Sequence, residues 1–282
     1  MKRIVLICLV LGLALTGYGY WGALRDPTVR TATIEMAHWP HGQSPLRVAL
    51  LSDLHVAGPD MPPERLARIV TQVNALQPDL VLIAGDLVSD KRVSTHRYSE
   101  AEAVAPLGGL SARHGVVAVL GNHDHWRNTA GMLRALEANR VTVLRNCVIA
   151  RAGVILAGAD DDFTGRADPA ALIRAVAPLK GPVVTLSHSP DIVPELPQRF
   201  GLVLAGHTHC GQIALPLIGR PATMSRHGDR FACGLIREGS RTIVVSAGLG
   251  TSVLPVRIGA PPDLWLLTLT GPAAPTTATA AR

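Results

Sequence analysis

Arg47-Val48-Ala49-Leu50-Leu51-Ser52-Asp53-Leu54-His55 is a short apolar run that ends abruptly on two polar side chains. A run of this length without polar interruption reads as a buried strand. In the extended Asp53-Leu54-His55 segment, side chains alternate, so the carboxylate and the imidazole can point the same way. The same layout recurs down the chain. Residues 79–84 end in Gly85-Asp86, residues 115–120 in Gly121-Asn122-His123-Asp124, residues 182–186 in Ser187-His188, and residues 202–205 in Gly206-His207-Thr208-His209. Between these runs lie stretches with helical apolar spacing: 63–76, with Pro63 at its start, and 98–110, 129–139 and 169–177. Further strands are expected at 141–144, 147–150, 154–157, 230–236, 242–246 and 265–269. Buried strands alternating with helices predict an α/β layered fold, and the strand-rich last third adds mixed pairing. Together they predict a sandwich of sheets with helices outside.

Each polar motif alone is ordinary turn chemistry, since Gly-Asp and Gly-Asn are common turns. Their order and shared position carry the reading: five strands deliver Asp, His or Asn at their carboxyl ends, the edge where α/β sheets bind ligands. Mixed oxygen and nitrogen donors suit Mn, Fe, Zn, Co or Ni better than Ca.

The set D-x-H, G-D, G-N-H-D, H and G-H-x-H resembles the calcineurin-like metallophosphoesterase superfamily, over about residues 46–270. That resemblance implies a four-layer α/β/β/α sandwich of mixed sheets and a centre of two divalent ions. One ion would be held by Asp53, His55, Asp86 and His209, the other by Asp86, Asn122, His188 and His207, with Asp86 shared. His123 would stand over the site as proton donor, its ring oriented by Asp124. A hydroxide bridging ions roughly 3.5–4 Å apart would attack a phosphodiester or pyrophosphate bond. The run Gly206–Ile213, together with Gly248-Leu-Gly-Thr-Ser252 and Pro255-Val-Arg257, is most similar to the bacterial membrane-associated YaeI-type phosphodiesterases, which usually carry Gly where this chain has Cys210. A lipid-linked substrate of the UDP-2,3-diacylglucosamine kind and a soluble or periplasmic diester both stay open. His125 and Arg257 are substrate candidates, Arg257 because guanidinium suits bidentate phosphate contact; its other reading is to hold the final loop. The loops 160–167 and 217–226 are expected to set substrate choice. A catalytically silent scaffold would lack a ligand or the proton donor, and every expected position is present. A serine hydrolase is excluded by the absence of a G-x-S-x-G elbow.

Composition agrees with a large core of unusual make-up. Of the 282 residues 48% are hydrophobic but only 4% aromatic, so Leu, Val, Ile and Ala must fill it. The net charge of +6 is scattered, with no dense Lys/Arg run, which argues against nucleic acid as a partner. Cys8, Cys147, Cys210 and Cys233 show no metal-finger spacing. The last three read as buried small hydrophobes or free thiols, with a Cys210–Cys233 disulfide open in an oxidising compartment.

Met1-Lys2-Arg3 precedes an uncharged stretch, Ile4 to Leu24, long enough as a helix to span a bilayer's hydrocarbon core. Tyr18, Tyr20 and Trp21 near its far end suit the interface. Residues 1–24 therefore read as a membrane anchor, with a cleaved signal (Ile4–Leu15, then Thr16-Gly17) as the rival. The basic residues ahead of the segment lean towards an inner-membrane anchor with the catalytic domain in the periplasm. Residues 25–45, with Pro27, Pro40 and Pro45, read as a linker carrying one short strand at 29–36. Residues 271–282 read as a disordered Pro/Ala/Thr tail.

Overall fold

Two six-stranded sheets carry the chain in the computed structural model, which describes residues 1–272; all but the first two residues of the expected tail lie outside the described residues. The first sheet has the order β1-β12-β2-β3-β4-β5, from Thr28–Glu35 (β1), Asp263–Thr270 (β12), Leu46–Leu51 (β2), Leu80–Ala84 (β3), Val116–Val119 (β4) and Val141–Val143 (β5). The second runs β10-β11-β9-β8-β7-β6, from Gly234–Glu238 (β10), Arg241–Val245 (β11), Leu202–Ala205 (β9), Val183–Leu186 (β8), Val154–Gly158 (β7) and Cys147–Arg151 (β6).

The apolar runs lack polar alternation because both faces of each central strand are buried. Val48 and Leu50 of β2, Leu80 and Leu82 of β3 and Val117 of β4 meet Leu156, Val184 and Leu204 of the second sheet in the layer between the sheets. Their neighbours Ala49, Leu51, Val81, Ile83 and Ala118 face outward, under Leu66, Ile69, Val70 and Val73 of α2 (Pro63–Ala75) and Met132 and Leu136 of α4 (Asn122–Ala138). On the other side Leu172 and Val176 of α5 (Pro169–Val176) cover Ile155, Val183 and Val203. The order helix, sheet, sheet, helix is the expected four-layer sandwich. The helix expected at 98–110 is a short α3 (Glu100–Val104) with a Ser99/Glu102 capping box, passing into a 3-10 turn over Ala105–Gly109. The strand expected from residue 230 starts at 234, after a 3-10 turn at Gly228–Phe231.

Three expectations are refined. The helix expected at 129–139 starts at Asn122 and is interrupted at Asn128 (φ −151°, ψ 83°), so the polar cluster 122–125 occupies a helix's first turn rather than a loop. The short strand expected within residues 25–45 is present as β1 and is built into the first sheet. After α1 (Lys2–Leu24) only Arg25, Asp26 and Pro27 intervene before β1, whose residues pair in register with β12 from Thr28–Asp263 to Glu35–Thr270. The helix stops at Leu24 with Arg25 already extended, Pro27 keeps Asp26 from returning to helix, and the β-branched residues that follow supply an edge strand. Cys210 and Cys233 are joined in a disulfide, and Cys147 is exposed rather than buried.

α1 is long and apolar enough to cross a membrane and is almost wholly exposed, except at its last turns. There Gly19, Gly22 and Ala23 are buried, Gly19 against Val256 and Ile258, and Arg257 donates its N–H to the Gly19 carbonyl (2.8 Å).

Candidate metal centre

The five polar strand ends converge at one edge of the sandwich. The Asp53 N–H donates to the Gly85 carbonyl (3.0 Å) and the His55 N–H to the Asp86 carbonyl (2.9 Å), so the loops after β2 and β3 run side by side. Asp53, His55, Asp86, His207 and His209 all adopt positive φ (46–69°), a conformation that costs a non-glycine residue about 1–3 kcal/mol. Neighbouring glycines make room. A Cβ on Gly206 would meet the Asp53 carboxylate and one on Gly121 the Asp86 carboxylate.

Seven of the side chains face one another. Nε2 of His55 and Nε2 of His209 are 3.0 Å apart, and His188 Nε2 is 3.0 Å from His207 Nδ1. Asp86 Oδ2 lies 3.2 Å from His188 Nε2 and 3.4 Å from His55 Nε2; Asp53 Oδ1 lies 3.5 Å from His209 Nε2; Asn122 Oδ1 lies 3.1 Å from His188 Nε2. All are buried. The outer ring nitrogens are committed as donors: His188 Nδ1–H to the Ala84 carbonyl (2.8 Å) and His207 Nε2–H to the Met224 carbonyl (3.1 Å). With both rings neutral, those bonds leave two lone pairs in contact across 3.0 Å. That arrangement repels unless a cation sits between them.

The electrostatics agree. Burial disfavours charge on His188, but the carboxylates of Asp86, Asp53 and Asp161 outweigh it and hold its pKa well above the ordinary value. Burial works against ionised Asp86 too, but His188 and His123 hold it well below the carboxylate range. Asp53 is pushed up to about 6 by burial, with the like charge of Asp86 adding to it. His207 is held down at about 4 by burial and by His188, and burial keeps His55 and His209 neutral. His55, His207 and His209 are thus neutral, the ligand state divalent metals need, and the carboxylates that favour a cation at His188 would equally favour a metal ion in place of its proton, so the residues fit such ions. Three groups each gather donor atoms within 4.8 Å: Asp53–His55–His209, Asp86–His188–His207 and His55–Asp86–His123.

His123 borders the centre, its Nε2 4.0 Å from Asp86 Oδ2, and lines a cleft of about 240 Å³. Asp124 does not orient it, contrary to expectation. The Asp124 carboxylate accepts N–H bonds from Leu87 (2.9 Å), Val88 (3.3 Å) and Gly121 (2.9 Å), bracing the β3 and β4 loops together, and burial with the nearby Asp86 pushes it up to about 7. The partner of His123 Nδ1 is the Asp90 carboxylate, which the sequence reading missed. No motif spacing marks Asp90; the loop after β3 carries it across to α4.

The two substrate candidates stand elsewhere. Arg257 is buried behind His209, its Nη2 3.3 Å from His209 Nδ1, with its N–H groups donated to the carbonyls of Ala247, Gly248, Gly250 and Ala260. It holds the final loop, the second of its two expected roles. His125 is clamped between Asp160 Oδ1 (2.7 Å) and Thr129 Oγ1 (3.2 Å), outside the cleft lining. Instead the cleft has Arg92, Trp126, Phe163 and Met224 in its walls. Trp126 stands one helical turn after His123, a spacing that appears only once the helix is seen to start at Asn122; Phe163 and Met224 come from the two loops expected to set substrate choice.

Asp160 supplies a pH-dependent brace. Burial alone would raise its pKa, but bonds from His125 and Arg145 Nε (2.8 Å) outweigh it and hold it at about 2, below the ordinary 3.8. The ionised carboxylate therefore stabilises the fold above its unfolded pKa, and that contribution fades as pH falls through the folded one. Wild type should exceed Asp160→Asn by about 1–2 kcal/mol near neutral pH, the gap shrinking towards about pH 2–3 in chemical denaturation.

Comparison with known proteins supplies the family. The model of the calcineurin-like phosphoesterase family matches residues 46–211. The chain is 33% identical over 274 residues to a transmembrane protein with metallophosphoesterase domain from Danio rerio, covering 91% of this chain but only 60% of that protein. It is 30% identical to the uncharacterized metallophosphoesterase YkuE of Bacillus subtilis, covering 90% of each, and 31% identical to an uncharacterized metallophosphoesterase of Helicobacter pylori, covering 91% of this chain and 68% of that protein. With the family model spanning more than half of its length and ending just past the His207/His209 pair, this chain belongs to the calcineurin-like phosphoesterase family.

Proposed function

We propose that the protein is a membrane-anchored hydrolase of phosphodiester or pyrophosphate bonds working through two divalent ions, with Asp86 shared between Asp53–His55–His209 on one side and Asn122–His188–His207 on the other. The observation that carries this reading is the pair of facing imidazole contacts at 3.0 Å on either side of Asp86. Ions held there, of the Mn, Fe, Zn, Co or Ni kind, would acidify a water towards neutrality and offset the charge of the phosphate. The chain's own groups do the rest. His123, its Nδ1 held by Asp90, gives a proton to the departing alkoxide oxygen from the cleft wall. Arg92 on the rim meets a second anionic group. Attack of water at phosphorus breaks the P–O bond, and the products are a phosphomonoester, or a phosphate, and the protonated leaving group.

Membrane placement rests on α1. Its helix runs unbroken past Thr16-Gly17, and Gly19, Gly22 and Ala23 beyond that point pack on the catalytic domain, which favours a retained anchor over a cleaved signal. An anchor raises the local concentration of lipid substrates, so a lipid-linked pyrophosphate of the UDP-diacylglucosamine kind fits. The Gly206–Ile213 run and the 248–257 loop support a place among YaeI-type phosphodiesterases. Cys210 stands at the Gly position with φ 52°, the left-handed conformation glycine adopts without cost. The basic Lys2 and Arg3 favour a bacterial inner-membrane anchor with the domain in the periplasm, a compartment that permits the Cys210–Cys233 disulfide.

Purified full-length protein should hydrolyse bis-p-nitrophenyl phosphate with added Mn²⁺, lose that activity in EDTA and regain it on resupply. A folded, metal-loaded protein without turnover on any phosphoester would favour the silent scaffold instead.

A further inference from the structure

The anchor and the metal centre share one edge of the sandwich. β12 is antiparallel to β2, with Trp265 opposite Leu50, and β1 is parallel to β12, with Thr28 opposite Asp263. The first residue of β1 therefore sits at the edge where β2 delivers Asp53 and His55. Three residues join that point to α1, a reach of at most about 11 Å. The join is clamped: Arg65 Nη2 donates to the Arg25 carbonyl (2.7 Å) and Gln72 Nε2 to the Pro27 carbonyl (3.0 Å). If α1 enters a bilayer, the catalytic edge is held close to its surface.

That edge is also where the exposed apolar side chains gather. Among the described residues outside the anchor, large exposed hydrophobics are Val93, Trp126, Phe163, Leu179, Leu217, Ile218, Met224, Val253 and Leu254. Leu179 precedes β8 and so lies at the opposite, amino-terminal edge. The others line the metal cleft, neighbour its lining, or tip the adjoining hairpin. The hairpin is closed by Leu215–Gly219 pairing and carries Leu217, fully exposed, and Ile218, 73% exposed, at its tip. Its root is tied to the anchor by direct contacts: the Ala214 N–H donates to the Ile258 carbonyl (2.7 Å), and Ile258 packs on Gly19 of α1. An apolar groove containing Ile213, Met224, Val253 and Leu254 runs from the hairpin to His209. Residues 212–224 and 248–259 contain no acidic side chain, so nothing there repels anionic headgroups.

We propose that the 213–219 hairpin and the 253–254 segment form a second membrane-contact surface, which inserts Leu217 and Ile218 into the leaflet beside α1 and seats the mouth of the metal cleft on the lipid headgroups. Lipid is the occupant because the surface continues, contact by contact, from the anchor. The substrate class that follows is an amphiphile whose phosphoester sits at headgroup level, its chains leaving along the apolar groove. This rests on the reading of α1 as an anchor.

Full-length protein with Cys8→Ser and Cys147→Ser, under non-reducing conditions, would be reconstituted in vesicles of phosphatidylethanolamine and phosphatidylglycerol. A fluorescent label would be placed through Leu217→Cys, Leu179→Cys or Leu9→Cys, and its depth read by quenching with nitroxide lipids against aqueous iodide. The label at 217 should be quenched by lipid nitroxides at a depth of about 5–10 Å and shielded from iodide, while the label at 179 stays open to iodide. A lipid-embedded label at 9 with an iodide-accessible one at 217 overturns the second contact and leaves the anchor standing. Iodide access at 9 overturns both. A label at 217 shielded from both quenchers would mean a protein covers the hairpin, and also overturns the proposal. Hydrolysis of the soluble diester is independent of every one of these results.

Discussion

Asp86→Asn is expected to lose metal occupancy and to lower turnover by roughly 10³-fold or more, since several kcal/mol of transition-state charge stabilisation depend on the ions it would share. The substitution is close to isosteric. The side-chain oxygen that accepts the His123 N–H (2.9 Å) is kept, so the β3 loop and the start of α4 should hold their places. What changes is the other oxygen, 3.2 Å from His188 Nε2 and 3.4 Å from His55 Nε2. An amide there carries no charge, and as NH₂ it turns a donor towards nitrogens that need their lone pairs for a cation. Metal analysis together with turnover on a simple diester checks it. Wild-type metal content and rate in the variant would remove Asp86 from the shared position.

His123→Ala should cut turnover by about 10²–10⁴-fold, the range for a positioned general acid, with metal content unchanged. The geometry makes this a sharp test, because His55, Asp86 and His123 also cluster closely enough to hold an ion. Metal loss in His123→Ala would reassign the residue as a ligand. A proton donor matters most for a poor leaving group, so the deficit should be larger on alkyl esters than on p-nitrophenyl esters. Asp90→Asn should show the same leaving-group pattern at smaller scale, roughly 10-fold, since it perturbs only the group that orients the ring. A deficit equal on both ester classes would mean that neither residue serves proton transfer.

Much of this molecule was legible in its sequence for a simple reason. Strands buried on both faces must be apolar throughout, so the runs at 47–51, 79–84, 115–120, 182–186 and 202–205 declare themselves, and the polar residues that end them stand out by contrast. Seven polar side chains thus point to one cage from the sequence alone. Glycines beside them, at 85, 121 and 206, were part of the same local signal. The edge strand β1 was visible only as a short β-branched stretch between prolines, and nothing local revealed that it pairs with β12 more than 200 residues away.

Local chemistry determined which residues prefer strand, helix or turn, and which carry lone pairs, because those are properties of a few adjacent residues. Tertiary structure alone decided the partners. Asp124 braces loops and Asp90 holds His123, though Asp124 is its neighbour in the chain; Arg257 is sealed behind His209; and α1 leaves from the edge that carries the polar cluster. Each of these depends on where a side chain meets a segment distant in sequence, and packing, not spacing, sets that meeting.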